Sequence, residues 1–503
     1  MASIVIPLQR MGSEFMPPLY EGTILYMPTT LPGISVTEVG MLLQQMDQKL
    51  MSFPEGDRVF GKAGRAETST DPAPLSMMEV IVELKPKDQW RKDLSYEDLI
   101  TEMDQALQFP GITNAWTMPI KARLDMLTTG VRTPVGIKIF GPDLKTIETI
   151  GKDIEMVAQD VPGTRSVYAE RVSGGYYLDF IINRDEIARY GFTVMDVSKI
   201  IESGIGGENI TITIEGRERY PVNLRYQREL RDDLDKLGRL TVSTPTGAQV
   251  PLAQLAELRM VSGPAMIRDE DGMLSGYVYV DMADRDVGSY VEELKQVVRD
   301  KIELPAGYTL TWSGQYEFME RVKERLKIFV PLTLAIIFLL YYFTFRSVAE
   351  TLMVMLGVPL SLVGGLWALY WLNYNMSIAV WVGLIALAGV AAETSAIMLS
   401  YLDRAVKRRR ESGQLSSLDD LLEIVKSGAM ERIRPVMMTG LANIVGLMPV
   451  MLATGVGADV MKRLAAPMIG GVGSALLLTL FVIPAIYVIW RWHKDIKYLV
   501  DKT

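Results

Sequence analysis

The 503-residue chain predicts an α+β region of repeated split-βαβ (ferredoxin-like) subdomains joined to an α-helical transmembrane bundle. Three observations carry that expectation. Residues 15–325 are mixed and charge-rich, whereas residues 326–492 hold long apolar spans. Within the first region one strand–turn–helix–turn–strand pattern recurs three times. Around the apolar spans, cationic residues are concentrated on one side.

Residues 2–8 (ASIVIPL) are too short for a span and lack the cationic start and cleavage site of a signal peptide. Residues 1–14 therefore read as the last turns of a membrane helix that begins upstream. The first repeat runs from GTILYMP through LPGISVTEVGMLLQQMDQKLM to FPEGDRVFGK. The second runs from VGIKIFG through PDLKTIETIGKDIEMVAQ to DVPGTRSVYAE, and the third from SGYVYVDM through DVGSYVEELKQVVRD to LPAGYTLTWSG. Strands alternating with helices of this length give the βαβ signal, and the Pro-Gly pairs stop each helix. These repeats fill residues 15–175 and 262–325. Between them, residues 176–261 carry a strand (YYLDFII), two short helices (RDEIARYG and TVMDVSKIIES) and a β-rich stretch, which suggests an inserted subdomain.

Five spans follow, at about 328–345, 351–372, 376–402, 435–455 and 466–490, each long enough to cross a bilayer or nearly so. Loop 403–434 holds Arg404, Lys407, Arg408, Arg409, Arg410, Lys426, Arg432 and Arg434, and the C-terminal end, with tail 493–503, adds Arg491, Lys494, Lys497 and Lys502. Positive-inside bias puts that loop and the tail in the cytoplasm, and an odd number of spans puts the large region outside.

The net charge of −8 excludes nucleic acid as an expected partner. With no cysteine and a single histidine, His493, a metal site in the large region must use carboxylate, carbonyl or thioether, and the chain has 30 methionines. No phosphate-binding loop, nucleophile elbow or HExxH motif is present, so no common catalytic class is indicated. Glu393 stands in an otherwise apolar run, roughly 15 Å at helical rise from its cationic end, near the bilayer midplane. A carboxylate there is expensive, so it is expected to face a bundle interior or a water-filled path and to move protons or ions.

Several stretches bring a family into view: MGSEFMPPLYEG, YMPTTLPGIS, VFGKAGRAETSTDPAPLSMMEV, RLDMLTTGVRTPVGIKIFG, GLIALAGVAAET and RLAAPMIGG. Together they resemble the C-terminal half of resistance-nodulation-division (RND) transporters of the heavy-metal efflux branch, and most of all its copper/silver subgroup. The resemblance covers essentially the whole chain. It implies a secondary active transporter rather than an enzyme, with porter subdomains and a docking-type insertion. It implies proton-driven efflux of Cu(I)/Ag(I) as substrate, with no cofactor. The expected setting is the inner membrane of a Gram-negative bacterium, with the large region in the periplasm. The implied partners are two further copies in a homotrimer, a periplasmic adaptor protein, an outer-membrane channel, the pump's N-terminal half and the lipid bilayer.

By the same resemblance Met27, Met77 and Met126 form the metal site, with Met78 leaving the register open. Soft monovalent metals prefer thioether sulfur, and three thioethers need no deprotonation. Glu21, Asp71, Glu79, Arg123 and Arg132 are implied to line the metal path, and Glu393 to be the proton relay. Two departures stand out. The subgroup carries a lysine just after the Arg-Pro that opens the eleventh span, where this chain has Val436 after Arg434 and Pro435. The second relay carboxylate belongs to a span outside this chain. Alternatives are half of a divalent-metal (Zn/Co/Cd) pump, a membrane-anchored periplasmic metal-binding protein without transport, or a relative serving protein or lipid export.

Overall fold

The computed structural model describes residues 2–17, 20–65, 73–172, 174–264, 266–412, 415 and 417–496. The chain divides into two compact units, one formed by 1–170 with 269–503 and the other by 171–268.

The first unit opens with a helical turn, Val5–Arg10. Two sheets follow. The first contains β1 (Thr23–Tyr26), β2 (Gly56–Ala63), β3 (Met78–Leu84) and β4 (Trp116–Thr117), in spatial order β2-β3-β1-β4. Helices α1 (Val36–Met51) and α2 (Tyr96–Ala106) cover one face and α3 (Pro119–Thr129) follows β4. Ser35 caps α1, and a Ser95–Asp98 capping box starts α2. The second sheet is built from β5 (Val135–Phe140), α4 (Leu144–Gln159) and β6 (Thr164–Ala169), then, after the second unit, from β11 (Met273–Met282), α5 (Val287–Lys301) and β12 (Thr309–Gly314). Four of its five strands run in the order β12-β5-β11-β6, every one of these pairings antiparallel, and the short strand Arg268–Glu270 also pairs with β11.

The three strand–helix–strand repeats are therefore present, and each keeps its two strands non-adjacent. A fourth, β3–α2–β4, completes the first sheet, so both sheets thread their strands in the same order. Its closing strand is two residues long, too short to read by alternation. The core of the second sheet packs Ile137 and Ile139, Ile147 and Ile154, Val278 and Val280, and Leu294 from strands and helices alike.

In the second unit β7 (Gly175–Ile182) pairs antiparallel with β10 (Ala256–Gly263), and the helices Arg184–Arg189 and Val194–Ile201 help enclose Ile187, Phe192, Val197 and Leu255. Between them β8 (Glu208–Glu215) and β9 (Glu218–Leu224) form a hairpin exposed along both strands, Ile210, Ile212 and Ile214 included.

Gly314, at φ +82°, turns β12 directly into α6 (Gln315–Phe345). A side chain there would meet the Pro134 carbonyl at 2.7 Å. With α6, the helices α7 (Val348–Trp371), α8 (Ile378–Glu411) and α9 (Leu418–Leu452) are long and apolar enough to cross a membrane. The last helix, α10 (Ala458–Arg491), bends by 43° between 477 and 479 and counts as a fifth span if taken as one. The bundle packs through small residues. An ideal Cβ on Gly364 of α7 would lie 2.3 Å from the Gly470 carbonyl of α10, and one on Gly383 of α8 would lie 2.4 Å from the Leu464 carbonyl. At the cationic end, Asp403 of α8 accepts from Arg491 and from the Tyr487 hydroxyl, both of α10.

A short segment after the first helical turn ties the bundle to the second sheet. The Met376 amide donates to the Gly12 carbonyl at 2.9 Å and the Glu14 amide to the Met376 carbonyl at 3.0 Å. Glu14 also pairs with Arg463 at 3.3 Å. On its other side the Ser13 amide donates to Asp286, the N-cap of α5, at 3.0 Å, and the Gly288 amide donates to the Ser13 carbonyl at 3.2 Å. Burial alone would raise the Asp286 carboxyl, but donors from Ser289 and Ser13 hold it below the usual carboxylate range.

Replacing Gly470 with alanine forces a methyl group against the backbone of α7 and should destabilise the bundle by about 1–3 kcal/mol. Gly473→Ala is the control, because a Cβ there meets nothing within 4 Å. Thermal unfolding of both variants in detergent checks this, and equal midpoints would show that the helices separate at no cost.

Candidate functional site

The ladder between β1 and β3 sorts the sequence into two faces. Thr23 lies opposite Glu83 and Tyr26 opposite Val80, and an isolated bridge continues the same register to Thr29 opposite Met77. Because successive side chains alternate, Ile24, Tyr26, Met78, Val80 and Val82 enter the helix-covered core, where Met78 is fully buried. Leu25, Met27, Met77, Glu79 and Ile81 belong to the other face. Met78 packs in the core, while Met77 is half-buried on the face that carries Met27.

Helix α3 closes over this second face. Leu25, Met27, Ala115 and Ala122 form one buried cluster, and Ile81 and Met126 pack against it. Met27 is 1% exposed and Met126 half-buried one turn beyond Ala122. Strand register and helical spacing thus gather Met27 and Met126 in one cluster and set Met77 beside them, two steps along the face.

The charged residues fall into distinct places. Glu21 accepts from the Ile120 amide at 2.8 Å and the Lys121 amide at 3.0 Å. It therefore caps α3 from outside the helix, which begins with Pro119 and lacks a side-chain cap of its own. That role was not visible in the sequence, where only the Pro at the first helical position hinted at an amide pair needing a distant acceptor. Glu79 stands opposite Met27 in the register and is paired with Lys62 at 3.0 Å. Arg132 is 5% exposed. It donates to the Thr29 hydroxyl at 2.6 Å and lies 4.5 Å over the Tyr279 ring, while its Nε and Nη1 are buried without a hydrogen-bond partner among the described residues. Arg123 is exposed on α3. Asp71 lies outside the described residues.

Glu393 departs from the expectation that it faces a bundle interior. Ala391, Ala392, Ser395, Met398 and Leu399 turn into the bundle, and Glu393 lies on the exposed face of α8 with Ile397. It makes no hydrogen bond or ion pair among the described residues, although the Tyr341 phenol is within its electrostatic reach. The reason is steric. The small side chains of α8 are what allow α7 and α10 to approach, so the carboxylate is left on the far side. Val436 is 5% exposed in an apolar cluster with Leu366, Leu384 and Val472, and the Thr439 hydroxyl bonds its own helix at Pro435 and Val436. Neither supplies a partner for Glu393.

Glu21→Ala should destabilise the fold by about 1 kcal/mol, as loss of a helix cap does, and speed hydrogen exchange at the amides of 120 and 121. Glu21→Gln, which retains an acceptor oxygen, should keep most of the protection. Unchanged exchange in the alanine variant would remove the capping role.

Comparisons with known proteins give the chain a family. Residues 1–491 match the model of the AcrB/AcrD/AcrF family. The chain is 44% identical over 494 residues to the cation efflux system protein CusA of Escherichia coli (strain K12), covering 98% of this chain and 47% of that protein. It is 45% identical over 496 residues to the putative cation efflux system protein SilA of Salmonella typhimurium, with the same coverages. Identity to the cobalt-zinc-cadmium resistance protein CzcA of Cupriavidus metallidurans is 34% over 486 residues, covering 95% and 45%. A crystal structure of a heavy metal efflux pump (crystal form II) superposes with a TM-score of 0.86 at 30% identity, over 97% of this chain and 48% of that one. The chain thus spans about half the length of the relatives it matches. A continuous family match along both sheets and the helical bundle, over residues 1–491, places this chain in the AcrB/AcrD/AcrF family.

Proposed function

We propose that the chain is the C-terminal half of a proton-driven RND efflux pump that exports Cu(I)/Ag(I) from the periplasmic side of a Gram-negative inner membrane. The observation that carries this reading is that Met27 and Met126 pack in one cluster between the first sheet and α3, with Met77 on the same sheet face as Met27. Three neutral thioethers suit a soft monovalent cation and offer little to zinc or cobalt. Among the described residues no three His, Cys, Asp or Glu converge as an alternative ligand set.

Glu79, opposite Met27, is a weak electrostatic station beside the thioethers. Its pairing with Lys62 keeps it from becoming a trap, which suits transfer rather than storage. Arg132, buried below Thr29, raises the cost for a cation to travel that way. Glu21 acts by holding α3, and with it Met126, in place.

We read the two matching sheets as split-βαβ porter subdomains and the 171–268 unit as the docking subdomain. The pump works by alternating access as a homotrimer, with an adaptor protein and an outer-membrane channel. The exposed Ile210, Ile212 and Ile214 edge of the β8–β9 hairpin supplies apolar surface for such contacts. The outward-facing Glu393 meets the N-terminal half. A carboxylate at that depth needs a partner that the described residues do not provide, and a relay shared between the two halves gives it one.

Titrating the full chain in detergent with Ag(I), beside Zn(II), tests the metal reading. Met27→Ile, Met77→Ile and Met126→Ile should each weaken Ag(I) binding tenfold or more without unfolding the chain. Unchanged affinity in all three would return the methionines to the core, and preferential Zn(II) binding would favour a divalent-metal pump. In the pump assembled with its N-terminal half, Glu393→Gln should abolish metal-driven proton exchange and leave metal binding intact. Retained exchange would make the carboxylate structural.

A further inference from the structure

A cavity of about 170 Å³ lies between the two sheets of the first unit. Its lining includes Tyr96, Thr117, Met118, Arg165, Asp281 and Met282. Its chemistry is unusual for a seam between subdomains. Three of its polar atoms, Tyr96 OH, Thr117 Oγ1 and Asp281 Oδ2, are buried without a hydrogen-bond partner among the described residues. Asp281 is only 2% exposed. Arg165 holds Nη1 at 3.5 Å from Asp281 Oδ2, beyond a good hydrogen bond, and Lys121 and Glu97 also line the cavity. Two thioethers line the same space, from Met118, 4% exposed, and from the half-buried Met282.

The backbone is shaped to present these groups. The register of β11 against β6 runs Asp281 opposite Ser166 and then Met282 opposite Thr164, leaving Arg165 as the extra residue of a β-bulge. A bulge of this kind re-aims side chains at a sheet's end, and here all three of its residues, Arg165, Asp281 and Met282, line the cavity. Met118 is the N-cap residue of α3, whose later turns carry Met126. Eight residues at helical rise separate the two methionines by ~12 Å.

We propose that this cavity is a second station for a soft monovalent metal cation, bound by the Met118 and Met282 thioethers with the Asp281 carboxylate as counter-charge. The inference rests on the proposed handling of Cu(I)/Ag(I) at Met27, Met77 and Met126. Two thioethers satisfy a coinage-metal cation without deprotonation. The cation supplies what the orphaned Asp281 oxygen lacks, and Tyr96 and Thr117 can hold waters completing its surroundings; the volume admits several. Arg165 keeps the site weak and unfavourable for a divalent ion, by repulsion across a buried distance. The two stations stand at opposite ends of α3, so an ion leaving one has a second ligand set within one helix length.

Ag(I) titration of the full chain in detergent tests this, read as the number of ions bound. The wild type should bind two. Met118→Leu with Met282→Leu, a volume-conserving pair, should bind one and keep the affinity of the Met27 station. The Met27→Ile, Met77→Ile, Met126→Ile variant should also bind one, lost in turn when the two leucine substitutions are added. Asp281→Asn, which keeps size and packing, should weaken the second site tenfold or more. X-ray absorption at the silver edge of the triple isoleucine variant should report sulfur neighbours. Two ions bound by the leucine pair, or a silver surrounded by oxygen alone in the triple variant, overturns the second station and leaves the first untouched. Loss of binding confined to the leucine pair, with the isoleucine variant unaffected, would instead move the soft-metal site from the first station to the second.

Discussion

The ladder joining Thr23–Tyr26 to Met78–Leu84 is the constraint from which the candidate site follows. Its register is fixed from both sides. Tyr26, Val80 and Val82 are fully buried among the helices, and the Thr29–Met77 bridge extends the pairing past the strand ends. A slip of one residue would send Met78 to the cleft face and Met77 into the core, exchanging every side chain between the two environments. The hydrophobic demand of one face therefore sets the chemistry of the other. Helix α3, anchored at its start by Glu21, then supplies the third thioether.

The membrane bundle is organised by proximity rather than by apolar surface, which lipid would cover equally well. Glycines at 364, 383 and 470 let backbones approach until carbonyls touch the neighbouring helix. The Asp403–Arg491–Tyr487 group and the Glu14–Arg463 pair neutralise charge near the ends of the bundle. Glu393 has no such partner among the described residues.

Much of this was legible in the sequence because periodicity reports burial. The repeated strand–helix–strand pattern and the apolar spans could both be read from it. What escaped were features decided at long range. A two-residue strand such as Trp116–Thr117 carries no alternation. The capping by Glu21 joins residues about a hundred positions apart. The side of α8 on which Glu393 lies was not legible because the span around it is apolar on all sides, so its periodicity cannot distinguish the face toward α7 and α10 from the face turned away. The burial of Arg132 depends on Tyr279, a strand that enters the sheet only after the second unit has been traversed.

The segment around Gly12–Glu14 has a mechanical meaning. It is a few residues of peptide, unable to stretch beyond about 3.5 Å per residue. One edge is bonded to Met376 at the entrance of α8, and the other to the N-cap of α5 in the second sheet. It behaves as a tie rod. A displacement of α8 along its axis is delivered to α5 with little slack, and the sheet that α5 supports moves with it. The helix that carries Glu393 is thereby geared to one wall of the water-facing domain through a handful of main-chain hydrogen bonds.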